Sequence, residues 1–123
     1  MAAESTLYAM LSAHAGLTAL VGSGDAARIY PDALPEDCDY PAVVYSASRE
    51  PEYGIDDTYF GAMVTLEISS WGTTRASASG VMAQAVECLN QNGWPYSTGS
   101  SPFDPDVGLF ASTISVTVFE PPA

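Results

Sequence analysis

A chain of 123 residues, 47% of them hydrophobic, can bury one core and is too short for two domains of ordinary size. Fifteen acidic residues stand against three arginines and no lysine, which gives a formal net charge of −12. This charge repels nucleic acid phosphates and anionic membrane surfaces, so a protein that grips DNA or binds a membrane is disfavoured.

The first 21 residues have no basic segment, and they include Glu4 and His14. A secretory signal peptide would begin with basic residues, and a membrane span would avoid such polar side chains. We therefore expect neither in this segment, and we expect the protein to be made in a cytosol.

The N-terminal segment is predicted to form a helix that is capped by Ser5 or Thr6 and ends near Gly16. Its apolar stripe consists of Leu7, Met10 and Leu11. One more apolar turn is expected over residues 17–21, before a glycine-containing loop.

Two short strands are predicted next, over residues 28–30 and 42–48. The connection 32–40 is rich in proline and aspartate and is expected to lie at the surface. Residues 49–58 are predicted to form a long hairpin connection, because they combine four carboxylates with a proline and a glycine. Connections of this length are usually functional or mobile.

The segment from Tyr59 to Gln91 is predicted to be the centre of the fold. Its first part alternates apolar and polar residues, which is typical of a strand with one buried face. The side chains expected in the core are Phe60, Ala62, Val64, Leu66 and Ile68. A helix capped by Thr73 or Thr74 follows, with an apolar stripe at helical spacing. That stripe consists of Ala78, Val81, Met82, Ala85, Val86 and Leu89. Gly80, inside this helix, is expected to let it lie close to the sheet.

The C-terminal part is predicted to add strands at 94–97 and 109–119, followed by a flexible tail at 120–123. This order of elements predicts a single α+β domain over residues 1–123. The sheet is expected to be antiparallel or mixed, with four to five strands and two helices packed on one face.

The sequence shows no catalytic or metal-binding constellation, and no cofactor is expected. The segment Asp104–Gly108 opens like a calcium loop, but its twelfth position is Ser115 rather than glutamate. The acidic groups of 50–57 could hold a hard cation across a subunit boundary, although a solvated loop is the simpler interpretation. An enzyme would have to use carboxylates alone.

Several residues are instead predicted to contact a protein partner. The loop 49–58 is more apolar than a solvated loop requires, and tyrosine is enriched at interfaces. The arginines are so few that each is a candidate to pair with carboxylates of a neighbouring subunit. The predicted interaction residues are Arg28, Arg49, Glu50, Glu52, Tyr53, Ile55, Asp56, Asp57 and Arg75.

The order and spacing of four segments, followed by a strand that ends near Trp71 and an alanine-rich helix, resemble the tail completion or tail terminator family of long-tailed bacteriophages and prophages. The segments are Leu7-Tyr8-Ala9-Met10-Leu11, Leu17-Thr18-Ala19-Leu20-Val21-Gly22, Arg28-Ile29-Tyr30-Pro31 and Tyr40-Pro41-Ala42-Val43-Val44-Tyr45. The resemblance covers residues 7–89. The absence of lysine and the heavy acidity are departures from the family pattern.

The resemblance implies a non-catalytic virion protein that forms a homo-oligomeric ring, expected to have six subunits, at the head-proximal end of the tail. Its implied partners are the tail-tube protein and the head-tail connector protein. DNA would pass through the ring without specific binding, and assembly would take place in the cytoplasm of the host bacterium.

Two other functions remain open on the sequence. One is another neck component, such as a head-closure protein or a connector adaptor. The other is a small non-catalytic α/β domain that binds a ligand between sheet and helix.

Overall fold

The computed structural model describes residues 3–121 and shows a mixed sheet with helices on one face. The helices are α1 (Ala3–Ala13), α2 (Ala15–Val21) and α3 (Arg75–Gln91), and a 3-10 turn spans Gly24–Ala26. The strands are β1 (Ile29–Pro31), β2 (Ala42–Tyr53), β3 (Tyr59–Gly72), β4 (Ser97–Thr98), β5 (Phe103–Asp104) and β6 (Leu109–Glu120). The predicted α+β class is therefore confirmed. The structure has three helices rather than two, and six strands rather than four to five; two of the six, β4 and β5, are only two residues long.

The three long strands form the body of the sheet, in the order β2, β3, β6. Strand β3 is antiparallel to both neighbours, so β2 and β6 run in the same direction. Strand β1 pairs in parallel with β2, and β4 and β5 each pair with β6. The outer edge of β2 and the outer edge of β6 are therefore each paired over only part of their length.

The core lies between this sheet and the helices. Val64, Leu66 and Ile68 of β3 are fully buried, as the alternation in the sequence predicts. The alanine-rich stripe of α3 packs on them, and Leu7 and Leu11 of α1 complete the layer. Burying each large aliphatic side chain contributes about 1.5–3 kcal/mol of gross stabilisation.

Helix α3 begins where the sequence predicts. The Thr74 hydroxyl accepts a hydrogen bond from the backbone N–H of Ser77 at 3.0 Å, which satisfies one of the open donors of the first turn. The close approach of α3 to the sheet depends on Gly72 rather than on Gly80. A Cβ at Gly72 would lie 2.9 Å from the Ala78 nitrogen, whereas Gly80 is exposed and has open space around it.

The predicted hairpin connection was wrong in its extent. Strand β2 continues through Tyr53 and β3 begins at Tyr59, so the turn comprises only residues 54–58. Residues from Arg49 onward pair with β3 despite their low strand propensity, because β3 supplies a backbone partner for each of them. Pro51 is tolerated because β2 is an edge strand at this point.

Other predicted features also differ from the structure. The strand predicted at 94–97 is present only as the short β4, Ser97–Thr98. Helix α1 begins at Ala3, before the predicted caps. Phe60 is 47% exposed rather than buried, because the β2–β3 pairing shifts register and skips it, and its ring lies beside Phe119, on the face away from the helices. Glu120, predicted to begin the flexible tail, pairs with Ala62 as the last residue of β6. Residues 122–123 of the predicted tail lie outside the described residues.

Candidate assembly surface

Arg49 binds two carboxylates of its own chain, at the end of the sheet where the hairpin emerges. Its Nε and Nη2 donate to Glu120 at 3.1 and 3.0 Å, and Nη1 donates to Glu4 at 2.8 Å. A second bond joins Nη2 to Glu4. The backbone N–H of Ala3 also donates to Glu120, at 2.9 Å. This cluster ties the start of α1 to β2 and to the end of β6.

The cluster shifts the pKa of each of its members. Hydrogen bonds from Arg49, and then from the Ala3 N–H, hold the pKa of Glu120 at about 2, below its ordinary 4.5. The hydrogen bond from Arg49 also lowers the pKa of Glu4. The two carboxylates in turn raise the pKa of Arg49. All three groups are therefore charged at neutral pH.

The other two arginines also bind within the chain. Arg28 donates to the carbonyls of Pro41 and Leu20, at 2.8 and 2.9 Å. Arg75 donates to the carbonyls of Ala111 and Ser101, at 3.0 and 3.1 Å, and its guanidinium carbon lies 4.9 Å from the centre of the Phe110 ring. Pairing of these arginines with a neighbouring subunit stays a prediction, and it would have to compete with these contacts.

The hairpin tip carries a cluster of exposed apolar side chains. The turn is closed by a hydrogen bond from Gly54 N–H to the Thr58 carbonyl at 2.8 Å, and Asp57 adopts a positive φ of 61°. Hydrogen bonds from Thr58 lower the pKa of Asp56. Ile55, at the tip, is completely exposed. We call the following residues the tip patch: Tyr53, Ile55, Tyr59, Phe60 and Phe119.

The tip patch is held together by ring contacts. The rings of Tyr53 and Tyr59 lie 6.0 Å apart, and those of Phe60 and Phe119 lie 6.3 Å apart. All five side chains are nevertheless between 47% and 109% exposed. Phe119 belongs to this group but was not among the predicted interaction residues. Its signal in the sequence was a break in the alternation of β6, because Phe119 follows Val118 directly and so falls on the face away from the core.

A second apolar group lies at the opposite end of the sheet, where β6 begins. Phe103 packs on Phe110, with ring centres 4.6 Å apart, and Val107 in the adjoining turn is 61% exposed. We call Phe103, Val107 and Phe110 the distal patch. Strand β3 spans the sheet between the two patches, and its 14 residues extend over roughly 43 Å.

The face of the sheet away from the helices is mostly small and polar. Its middle is formed by Ser46, Ser48, Thr65, Glu67, Ser69, Thr113, Ser115 and Thr117. Glu50 and Glu52 continue this face toward the hairpin tip. Trp71 lies on the same face between two alanines, Ala42 and Ala111. The clefts on this face are open and are lined by polar as well as apolar groups, unlike the mostly apolar pockets that usually bind small ligands.

Within residues 3–121, no three His, Cys, Asp or Glu side chains are grouped so that they could hold a metal ion. None of the helices in this part of the chain is both long and apolar enough to cross a membrane.

Comparison with known proteins agrees with a role in virion assembly. Residues 5–118 match the family model described as tail completion protein gp17. One similar solved structure is a chain of the virion of a native gene transfer agent (GTA) particle. It superposes with a TM-score of 0.70 at 16% identity, covering 98% of this chain and 96% of that chain, so the two share a fold. No curated protein sequence matches the chain.

The family model covers nearly the whole chain, which confirms the resemblance that the four sequence segments indicated. The chain therefore belongs to the tail completion protein gp17 family and is a structural protein of the tail or neck of a bacteriophage-type virion.

Proposed function

We propose that the protein is a tail terminator: a non-catalytic, homo-oligomeric ring that sits on the head-proximal end of the tail tube. The ring, expected to contain six copies, stops the addition of tube protein and presents its other side to the head-tail connector. It would assemble in the cytoplasm of the host bacterium and remain in the virion. Membership of the tail completion family supports this proposal.

The observation that carries the proposal is the presence of two exposed apolar patches at opposite ends of one sheet. Exposed apolar groups of this kind usually mark protein interfaces. A terminator needs two such contacts, one with the last ring of the tube and one with the connector. We assign the tip patch to the tube, because it stands on a projecting hairpin that can reach into a neighbouring ring.

The charge distribution fits a ring through which DNA moves. All three arginines are bonded within the chain, so the described residues offer no uncommitted arginine to hold a phosphate. The net charge of −12 repels DNA from the surface. A duplex would then pass without specific binding.

Electron microscopy of particles made without the protein tests the proposal. A terminator deletion leaves tube polymerisation unchecked and gives abnormally long tails. Tails of normal length beside filled heads would instead identify a head-closure protein or connector adaptor, the other neck function. Light scattering of the purified protein with tail-tube protein should show a ring, and a chain that stays monomeric would contradict the proposal.

A further inference from the structure

Both outer strands of the sheet have a free edge at the hairpin end. Strand β1 pairs only with residues 43–45 of β2, so Ser46–Tyr53 have no partner on that side within the described chain. Strands β5 and β4 pair only with residues 109–110 and 114–115 of β6. The outer side of residues 116–120 is likewise unpaired among the described residues.

The backbone groups that point outward can be identified from the hydrogen bonds that each strand makes along its paired part. On β2, Val43 donates to the Arg28 carbonyl and Tyr45 accepts from Asp32, at 2.9 and 2.8 Å. Because the outward direction alternates along a strand, Ala47 and Arg49 also point outward. Pro51 is the next outward position and has no N–H, so it limits the usable edge.

The free edge of β6 follows the same rule. Thr113 exchanges hydrogen bonds with Gly99 and Ser100, at 2.8 and 2.9 Å. Thr117 and Phe119 therefore point their N–H and C=O groups outward. The segment 116–119 contains no charge, proline or bulge, which are the devices that usually protect an exposed edge from pairing. This edge is open to an incoming strand.

We propose that β6 of one subunit pairs with β2 of the next, so that the sheets continue from subunit to subunit around the ring. This inference rests on the proposed ring and names the contact that closes it. Strands β2 and β6 run in the same direction within one subunit. Copies related by rotation about a ring axis keep that direction, so β6 would meet the neighbouring β2 in parallel.

The side chains are compatible with this contact. On the helix side, Val118 would face Ala47 or Arg49 of the neighbour. A shallow cleft beside Val118, bounded by Ala3 and Trp94, lies where the neighbouring strand would add. On the other side, Thr117 or Phe119 would approach Ser48. The part of the β2 edge before Pro51, residues 46–50, matches the unpaired residues 116–120 of β6 in length, and the contact needs no ion pair.

Disulfide cross-linking tests the pairing in the full chain, with Cys38→Ser removing the accessible native thiol. The variants are Ser48→Cys/Thr117→Cys and Ser48→Cys/Phe119→Cys. They test the two alignments of β6 with the neighbouring β2 that keep the helices of both subunits on the same side of the sheet. Ser48 and Thr117 both pair with Thr65, so they lie about 9.6 Å apart within one chain. A disulfide needs a Cα separation below about 7 Å, so any bond that forms must join two chains.

After mild oxidation in high salt with tail-tube protein, we expect one of these variants to give a ladder of covalent oligomers. Ser48→Cys and Thr117→Cys alone should stay monomeric on a non-reducing gel, as should Ser79→Cys on the exposed face of α3. Dimers of either edge variant alone would overturn the proposal, because they would indicate pairing of like edges. Absence of a ladder in both double variants, while light scattering shows an oligomer, would overturn the strand contact and leave the ring. A monomer by both methods would reject the contact and the ring together.

Discussion

The guanidinium of Arg49 lies between the carboxylates of Glu120 and Glu4 and thereby joins the last residue of β6 to the first turn of α1. The hairpin residues closest to the core are thus fixed, while the tip beyond them carries the solvent-exposed apolar groups of the tip patch beside the exposed Asp56 and Asp57. A firm base and an apolar tip are suited to a hairpin that docks onto another protein.

Removing the guanidinium should weaken this base. We expect Arg49→Ala to lower the melting temperature by roughly 3 °C, since partly exposed ion pairs contribute little individually and this cluster contains two. Arg49→Glu should lower it further, because three carboxylates would then lie together. Differential scanning calorimetry measures both. Glu36→Gln, in the exposed connection before β2, is the control, and an unchanged melting temperature for Arg49→Glu would contradict the structural role of the cluster.

Glu120 should make stability depend on acid pH. Its folded-state pKa of about 2 lies below the ordinary 4.5, so its contribution is present above pH 4.5 and is lost as the pH falls toward 2. We expect the difference in unfolding free energy between wild type and Glu120→Gln to shrink over that range. Urea denaturation at several pH values measures this difference. A difference that stays constant from neutral pH to pH 2 would show that Arg49 does not stabilise the ionised carboxylate.

The central strand and its helix could be predicted because their periods reflect burial directly. Val64, Leu66 and Ile68 alternate with polar residues, and the stripe of α3 repeats at helical spacing. Phe60 continues the same alternation, yet it is exposed. A sequence period predicts the face of a side chain only while the strand pairing is regular, and the register shift that skips Phe60 could not be read from it.

The interaction residues also divide into those that a local sequence pattern reveals and those that only the folded structure reveals. Tyr53 and Ile55 were predicted because apolar residues in an acidic loop are unusual, and both lie in the tip patch. Glu120 and Phe119 were missed as partners because their contacts with Arg49 and Phe60 join segments far apart in the chain. The free edges of β2 and β6 were also hidden, since they depend on how far β1 and β4 extend.

Leu66 and Phe60 provide a direct test of where the core ends. Leu66→Ala should destabilise the protein by about 3 kcal/mol, because it leaves a cavity in a fully buried site. Phe60→Ala should cost less than about 1 kcal/mol, because its ring is half exposed and packs mainly on Phe119. Urea denaturation of both variants gives the comparison. Equal losses would mean that Phe60 belongs to the core after all.

Ring formation should strengthen as salt is added. Subunits with a net charge of −12 repel one another, and their arginines are bonded internally, so added salt screens repulsion without breaking pairs between subunits. We expect the oligomeric fraction, measured by light scattering, to rise between low and high ionic strength. Dissociation on adding salt would instead reveal arginine–carboxylate pairs between subunits, as the sequence first suggested.

The tip patch can be tested separately from the fold. Ile55→Asp removes the most exposed apolar side chain, and it should leave the melting temperature nearly unchanged because Ile55 buries nothing in the isolated chain. If the tip docks onto the tube, the variant should bind tail-tube protein at least tenfold more weakly, since an interfacial charge would have to be desolvated. Val107→Asp in the distal patch is the matched control, because it adds the same charge at the opposite end of the sheet. Equal loss of tube binding in both variants would show that charge alone disturbs assembly, and loss only in Val107→Asp would reverse the proposed orientation of the ring.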